Sequence, residues 1–76
     1  MNLYLLAKKR EEKGYSQQQI AEKLGYKNKA SYSLIENGKT KVNIELANKL
    51  CEILQLSNKD IIEIFFENKV HENQTY

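Results

Sequence analysis

Residues 16–38, SQQQIAEKLGYKNKASYSLIENG, decide how this chain folds. Ser16 and Gln19 fit the S-x-x-Q capping box, which marks the start of a helix. Apolar residues follow at helical spacing until Gly25, which can adopt the left-handed conformation that ends a helix. A second helical segment begins near Asn28, a good N-cap residue, and ends at the closing asparagine and glycine. The stretch therefore predicts two short helices joined by a turn.

Three more helical segments flank this stretch. One covers residues 3–13 and ends before Gly14, the fourth follows Asn43, and the fifth runs from Ser57 to about Lys69. No alternating strand pattern competes, so the expected fold class is all-α. The positions that spacings of 3 and 4 residues predict to face the core are Leu3, Leu6, Ala7, Arg10, Ile20, Ala21, Leu24, Tyr32, Ile35, Ile44, Ala47, Leu50, Cys51 and Leu54.

Length and composition exclude several classes of protein. The chain has 76 residues, of which 41% are hydrophobic and 29% charged, as expected for one small domain, here residues 1–68 with a frayed tail at 69–76. No apolar run approaches the roughly 20 residues of a membrane span, and we expect a cytoplasmic protein. One Cys and one His form neither a disulfide nor a zinc site, and no nucleophile–base pair is evident. We therefore expect no enzyme, metal or cofactor.

The charges are distributed unevenly along the chain. Residues 1–42 contain nine Lys or Arg against four Glu, whereas residues 43–76 contain three Lys against six acidic residues. This asymmetry indicates a polarised molecule with one face suited to a polyanion.

The second helix of the quoted stretch has the residue types of a helix that reads a DNA major groove. Sequence is read by side chains near the N-terminal end of such a helix, and phosphate contacts on both sides fix its position. The expected base-reading residues are Asn28, Lys29, Ala30, Ser31, Ser33 and Leu34. The expected phosphate-binding residues are Ser16, Gln17, Lys27, Asn37, Lys39, Thr40 and Lys41. The alternative is an ordinary helical bundle with a lysine-rich solvated surface.

Three blocks carry a family resemblance: RxxxGYSQ from Arg10, IAxxLG from Ile20 and IENGK from Ile35. They resemble the phage repressor and Cro type of helix-turn-helix, the XRE family, over residues 3–66. The resemblance implies a compact five-helix bundle like that of lambda repressor, which binds operator DNA, commonly as a dimer. It also implies phosphate contacts from Gln17 and residues 37–41, and base contacts from residues 28–34.

The chain departs from the family pattern at two places. Ten residues separate Gly25 from Glu36, one more than usual, which predicts a longer turn around Tyr26 and Lys27. Tyr32 occupies a position where the family usually buries an aliphatic residue, so its hydroxyl must find a partner or reach the surface.

Two charges in the resembling blocks are expected to pair. Arg10 lies on the core-facing stripe of the first helix, and Glu36 lies at the end of the third. Because an unpaired buried charge is very costly, we predict an Arg10–Glu36 ion pair that ties the first helix to the following loop. The alternative is that both are ordinary surface charges.

The fifth segment is too apolar for one buried face. Its five large apolar residues between 61 and 66 span an arc of about 200°, twice the roughly 100° that core packing needs. The excess predicts a homodimer, because a self-complementary patch closes a two-fold interface. The alternative is a larger core. The expected interface residues are Ile62, Phe65 and Phe66.

The sequence thus predicts a transcriptional regulator that binds double-stranded DNA sequence-specifically at a palindromic operator. By the resemblance it is a Cro-like or small prophage or mobile-element repressor, a controller-type regulator or an antitoxin that represses its own operon. The alternative function is a protein-interaction module, or the partner of a toxin or antirepressor, that uses the apolar fifth helix and binds DNA only secondarily.

Overall fold

The computed structural model describes residues 1–66, and all five helices in that part of the chain follow the predicted order. It contains no strand there, which confirms the all-α class. None of these helices is long and apolar enough to cross a membrane. The predicted end of the fifth helix near Lys69 and the predicted tail at 69–76 lie outside the described residues. The helices are α1 (Leu3–Glu12), α2 (Gln17–Lys23), α3 (Lys29–Glu36), α4 (Ile44–Leu54) and α5 (Asn58–Phe65).

Each helix begins at a polar side chain that accepts a hydrogen bond from the first turn. Ser16 and Ser57 form complete capping boxes with Gln19 and Asp60, since each N3 side chain also accepts from the cap backbone N–H. These caps satisfy N–H groups that a helix leaves without partners, so local sequence alone fixes the five starts. The N-cap residues are Asn2, Ser16, Asn28, Asn43 and Ser57.

The end of α4 has no glycine to mark it in the sequence. Gln55 adopts a left-handed conformation with φ of 52°, and the Leu56 N–H donates to the Cys51 carbonyl at 3.0 Å. The first three helices end in the same way, but at glycines. A non-glycine residue pays a steric cost in this conformation, which identifies Gln55 as a point of local strain.

The core lies where α1, α2 and α3 meet α4 and α5. Its fully buried apolar residues are Leu6, Ile20, Ala21, Tyr32, Ile35, Leu50, Leu54 and Ile64. The prediction that Ile44 faces the core is wrong, because this side chain is 80% exposed. Ile44 is the first residue of α4 and lines an open groove, so the buried face of α4 is formed further along the helix. Leu3, Ala7, Leu24, Ala47 and Cys51, also predicted to face inward, are half-buried.

Two direct links hold α1 against α5. The Asn2 N–H donates to the Ile64 carbonyl at 2.6 Å, and Lys9 Nζ lies 3.2 Å from Asp60 Oδ1. The other face of α1 packs against α3, and α2 makes its most extensive contacts with α3. The first helix therefore contacts both α3 and α5 and connects the two.

Candidate nucleic-acid interface

The turn between α2 and α3 contains the extra residue of the sequence. Residues 24–28 separate the two helices, and Lys29 is the first residue of α3. Tyr26 packs against the core, and its N–H donates to the Ala21 carbonyl at 2.9 Å. Lys27 and Asn28 are exposed. The turn thus accommodates its additional residue outside the core.

The outward side of α3 is built from small and polar side chains. Lys29 and Ala30 are exposed, and Leu34 is 44% exposed. Ser33 is half-buried on this face, and Ser31 is half-buried at its edge. Tyr32 and Ile35 point the opposite way into the core, so helical periodicity leaves Ala30, Ser33 and Leu34 facing outward.

Asparagines at both ends of α3 are already engaged in the helix. Asn28 Oδ1 accepts from the Ser31 N–H at 3.3 Å, while Asn37 Nδ2 donates to Ser33 Oγ at 3.5 Å. The Asn28 side chain therefore has its whole amide group and one remaining lone pair of its carbonyl oxygen left to contact a base. The exposed Asn37 lies one turn beyond Ser33, next to the outward face.

A loop after α3 carries the remaining predicted phosphate contacts. Asn37, Lys39 and Lys41 are exposed, and Thr40 is half-buried. The N–H groups of Lys39 and Thr40 donate to the Leu34 carbonyl at 2.9 and 3.2 Å, which folds the loop back onto the end of α3. Gly38, with φ of +76°, makes this possible, and an added Cβ there would lie 2.9 Å from Leu3 Cδ1.

The segment that contains α3 carries mostly positive charge. Between Glu22 and Glu45 the only acidic residue is Glu36, and its carboxylate is paired with Arg10. The same stretch holds five lysines, of which Lys23 lies over the Tyr15 ring at 5.2 Å from its centroid. This surface can therefore attract an anion from both ends of α3. The five are Lys23, Lys27, Lys29, Lys39 and Lys41.

Arg10 and Glu36, the two charges expected to pair, are joined in a bidentate ion pair. Arg10 Nε donates to Glu36 Oε2 at 2.6 Å, and Nη2 donates to Oε1 at 3.3 Å. The two side chains are only 10% and 8% exposed. Nη1 donates to the Tyr15 carbonyl at 2.7 Å, so the guanidinium also holds the chain between α1 and α2.

Gln17 completes this cluster, a contact that the sequence did not reveal. Its Nε2 donates to Glu36 Oε1 at 2.9 Å, which links the start of α2 to the end of α3. Neither helical spacing nor a motif identifies such a pair, because the residues are 19 positions apart. We call Arg10, Gln17 and Glu36 the Arg10–Gln17–Glu36 network. Gln17 is half-buried, while neighbouring Ser16 is exposed and its hydroxyl accepts from the Gln19 N–H.

The network determines the ionisation of Glu36. Burial alone would raise the pKa of this carboxyl, but hydrogen bonds to Arg10 and neighbouring donors outweigh burial and hold the pKa below its ordinary value. On the arginine side, the hydrogen bond to Glu36 raises the pKa of Arg10. Both groups are thus charged at neutral pH, and the network bridges all three N-terminal helices.

Tyr32, the second departure from the family pattern, does not reach the surface. Its side chain is fully buried, yet its hydroxyl has no hydrogen-bond partner of ordinary geometry within the described residues. Burial, reinforced by the neighbouring Glu36 carboxylate, raises the pKa of the phenol well above its usual value. The phenol therefore keeps its proton, and it lies beside the Glu36 carboxylate at the edge of the Arg10–Gln17–Glu36 network.

The apolar residues of α5 divide between core and surface. Ile64 is fully buried, Ile61 and Phe65 are half-buried, and Ile62 and Phe66 are 47% and 68% exposed. Phe65 and Phe66 also line a groove of about 440 Å³ that reaches Val42 at the end of the loop. Ile62 and Phe66 therefore present apolar surface, and the groove beside Phe65 and Phe66 extends to Gly38 and Thr40 of the loop after α3.

Comparison with known proteins adds one match. A family model described as Helix-turn-helix matches residues 6–57, about two thirds of the chain. The match begins within α1, includes α2, α3 and α4, and ends at the N-cap of α5. No curated protein and no solved structure matches the chain.

Proposed function

Because the chain belongs to the helix-turn-helix family, in its XRE and Cro type, and is a DNA-binding regulator, we propose that it reads double-stranded DNA sequence-specifically with α3 in the major groove. The observation that carries the proposal is the outward face of α3, which is small enough for close approach and flanked by lysines, while the one acidic residue of α3, Glu36, is paired with Arg10. The family resemblance supports a small repressor of the Cro-like or prophage type.

The residues around α3 divide into two kinds of contact. Lys29, near the start of α3, and Ala30, Ser33 and Leu34, on its outward face, are proposed to meet base edges together with the amide of Asn28. Ser31 is half-buried and contributes from the edge. The remaining polar groups are proposed to hold phosphates on either side of α3: Ser16, Gln17, Lys27, Asn37, Lys39, Thr40 and Lys41.

We infer that two copies associate through α5. The exposure of Ile62 and Phe66 supports this interface, because both are large apolar groups, one within α5 and one directly after it. A two-fold dimer would present two copies of α3 to half-sites about one helical turn, roughly 34 Å, apart, and hence to a palindromic operator. Sedimentation of the full chain at micromolar concentration tests this, and a monomer there removes the dimer from the proposal.

Selection of bound sites from a pool of random duplexes tests the function as a whole. We expect enrichment of a palindromic sequence, whose half-site spacing then measures the separation of the two α3 helices. Affinity for the selected site should fall steeply with salt, with a log–log slope of about −0.9 per neutralised phosphate. Equal affinity for selected and random duplexes would leave only a generic basic surface.

Two lysine variants form a matched pair for the division of contacts. Lys29→Ala should cost about 1 kcal/mol of discrimination between the selected site and a single-base variant, because it removes a base contact. Lys39→Ala should weaken all duplexes alike and reduce the salt slope by about one phosphate. Both lysines are exposed, so neither variant disturbs the fold. Similar behaviour of the two would contradict the assignment of α3 as the reading helix.

The exposed apolar surface also supports a second function, that of a protein-interaction module such as the partner of a toxin or an antirepressor. The groove beside Phe66 and the exposed Ile62 favour it. In that case a protein partner would bind with little dependence on salt, and substitution of Lys29 would leave its affinity unchanged. The salt slope therefore discriminates between the two functions.

A further inference from the structure

The groove of about 440 Å³ beside α5 is apolar and open to solvent. Its walls come from the start of α1, the loop after α3, the start of α4 and the end of α5. Two of its lining residues are the large apolar side chains Ile44 and Phe66, which are 80% and 68% exposed. Apolar side chains so exposed around a concave surface indicate a docking site.

The groove is continuous with the surface proposed for self-association. Phe66 lines the groove, and Ile62 lies one helical turn before it, with its carbonyl accepting from the Phe66 N–H at 2.9 Å. A partner that covers Ile62 therefore also reaches the groove.

The exposed apolar area is of the size that a second copy of this chain needs. At roughly 200 Å² for a fully exposed large side chain, Ile44, Ile62 and Phe66 together expose on the order of 400 Å². This is about half of the roughly 800 Å² that each partner buries in a standard interface. The half-buried walls of the groove and its polar rim can supply the remainder.

Two-fold symmetry then determines which residues meet. In such a dimer each contact occurs twice with the roles of the two copies exchanged. A Phe66 ring that enters the groove of the second copy meets the partner's Ile44 there, and the partner's Phe66 meets Ile44 of the first copy in the same way.

The groove also connects this contact to the proposed DNA interface. Ile35 of α3 lines it, as do Gly38 and Thr40 of the loop that carries proposed phosphate contacts. A partner seated in the groove therefore packs against this loop.

We propose that the groove binds the end of α5 of a second copy, with Phe66 of each copy packed against the partner's Ile44, and that this contact holds the loop after α3 in place for DNA. The inference adds Ile44 and the groove to the association surface. It rests on the proposed function, because the loop matters for binding only if it contacts phosphates.

Complementary charges at the two positions test the pairing without DNA. Ile44→Glu and Phe66→Lys should each weaken self-association at least tenfold, measured by sedimentation of the full chain at several concentrations. An equimolar mixture of the two variants should associate at least tenfold more tightly than either alone. The mixed dimer joins a carboxylate to an ammonium group at one contact and keeps the original apolar pair at the other. Both charges also suit the helix ends at which they lie, so the variants should fold.

Tyr4→Glu is the matched control, because Tyr4 is 77% exposed and lies outside the groove. It should leave association unchanged and give no rescue when mixed with Phe66→Lys. A mixture of Ile44→Glu and Phe66→Lys no tighter than its components would overturn the proposal, as would a monomeric unsubstituted chain. If Ile44→Glu lowered the free energy of unfolding but not association, the groove would be filled within one chain, by residues 67–76, and the proposal would be wrong.

A duplex that carries one half-site of the selected operator tests the link to the loop. Phe66→Ala adds no charge near the DNA, and it should lower affinity for this duplex about fivefold at concentrations where the unsubstituted chain is dimeric. Unchanged affinity would overturn the role of the contact in holding the loop. Failure of the proposed function is distinguishable, since the unsubstituted chain would then select no site while the rescue by complementary charges would persist.

Discussion

The two halves of this small bundle are held together by different means. Between α1, α2 and α3, the Arg10–Gln17–Glu36 network joins three consecutive helices through an ion pair and an amide. Around α4 and α5 apolar packing dominates, and part of the apolar surface remains exposed at Ile44, Ile62 and Phe66. Hydrogen bonds have fixed directions and apolar contacts do not. The first half is therefore built to orient α3, and the second to offer a surface.

The largest effect that separates the two halves should come from Arg10→Met. It leaves the Glu36 carboxylate, only 8% exposed, without its cation, and we expect a loss of about 3 kcal/mol in the free energy of unfolding, measured with urea. Operator affinity should fall with it. Lys8→Met, an exposed substitution on the same helix, is the control and should leave stability unchanged within error. If both variants have the same free energy of unfolding, the network does not stabilise the packing of α1, α2 and α3.

A smaller effect is expected where the loop after α3 touches α1. Gly38→Ala should cost about 2 kcal/mol, because its φ of +76° disfavours a side chain and the new Cβ would press on Leu3. Gly14→Ala is the matched control, since Gly14 has a similar φ of +82° but open space around it. Its cost should be about 1 kcal/mol. If thermal unfolding shows the same loss of stability for both variants, the Leu3 side chain moves aside at no measurable cost.

A substitution on the exposed apolar surface of the second half should weaken self-association more than it lowers the free energy of unfolding. Ile62 is 47% exposed, so Ile62→Lys should leave unfolding of the dilute protein almost unchanged while weakening self-association at least tenfold, about 1.4 kcal/mol. Sedimentation at several concentrations measures this. Lys59→Ala, an exposed substitution in the same helix, should leave association unchanged. Loss of stability without loss of association would mean that Ile62 belongs to the core.

The smallest expected effect is an increase in stability, at the left-handed residue that ends α4. Gln55 has φ of 52°, and Gln55→Gly should stabilise the chain by about 0.5 kcal/mol, since relief of steric strain slightly exceeds the added entropy of the unfolded chain. Thermal unfolding measures it as a rise in melting temperature. Gln18→Gly, within α2, is the opposite control and should destabilise by up to about 1 kcal/mol. A loss at both positions would show that the end of α4 carries no strain.

The sequence by itself determined the five helices and their starts, because a capping side chain and the turn that it caps are neighbours in the chain. Ser16 with Gln19 is the clearest case, and Ser57 with Asp60 repeats it. The sequence also located the candidate reading helix and its lysines, since the family pattern is local. It did not locate the left-handed Gln55, because glutamine carries no turn signal, and it misplaced Ile44, because burial at the first turn of a helix depends on what packs beside it.

Only the tertiary structure decided how these helices work together. Arg10 and Glu36 were recognisable as a pair, but the third member of their network, Gln17, is set by the approach of α2 to α3. Helix packing also buries Tyr32 completely, and the placement of α5 leaves Ile62 and Phe66 at the surface. Helix caps are settled within four residues of chain, whereas these contacts depend on distances between helices, which local sequence does not encode.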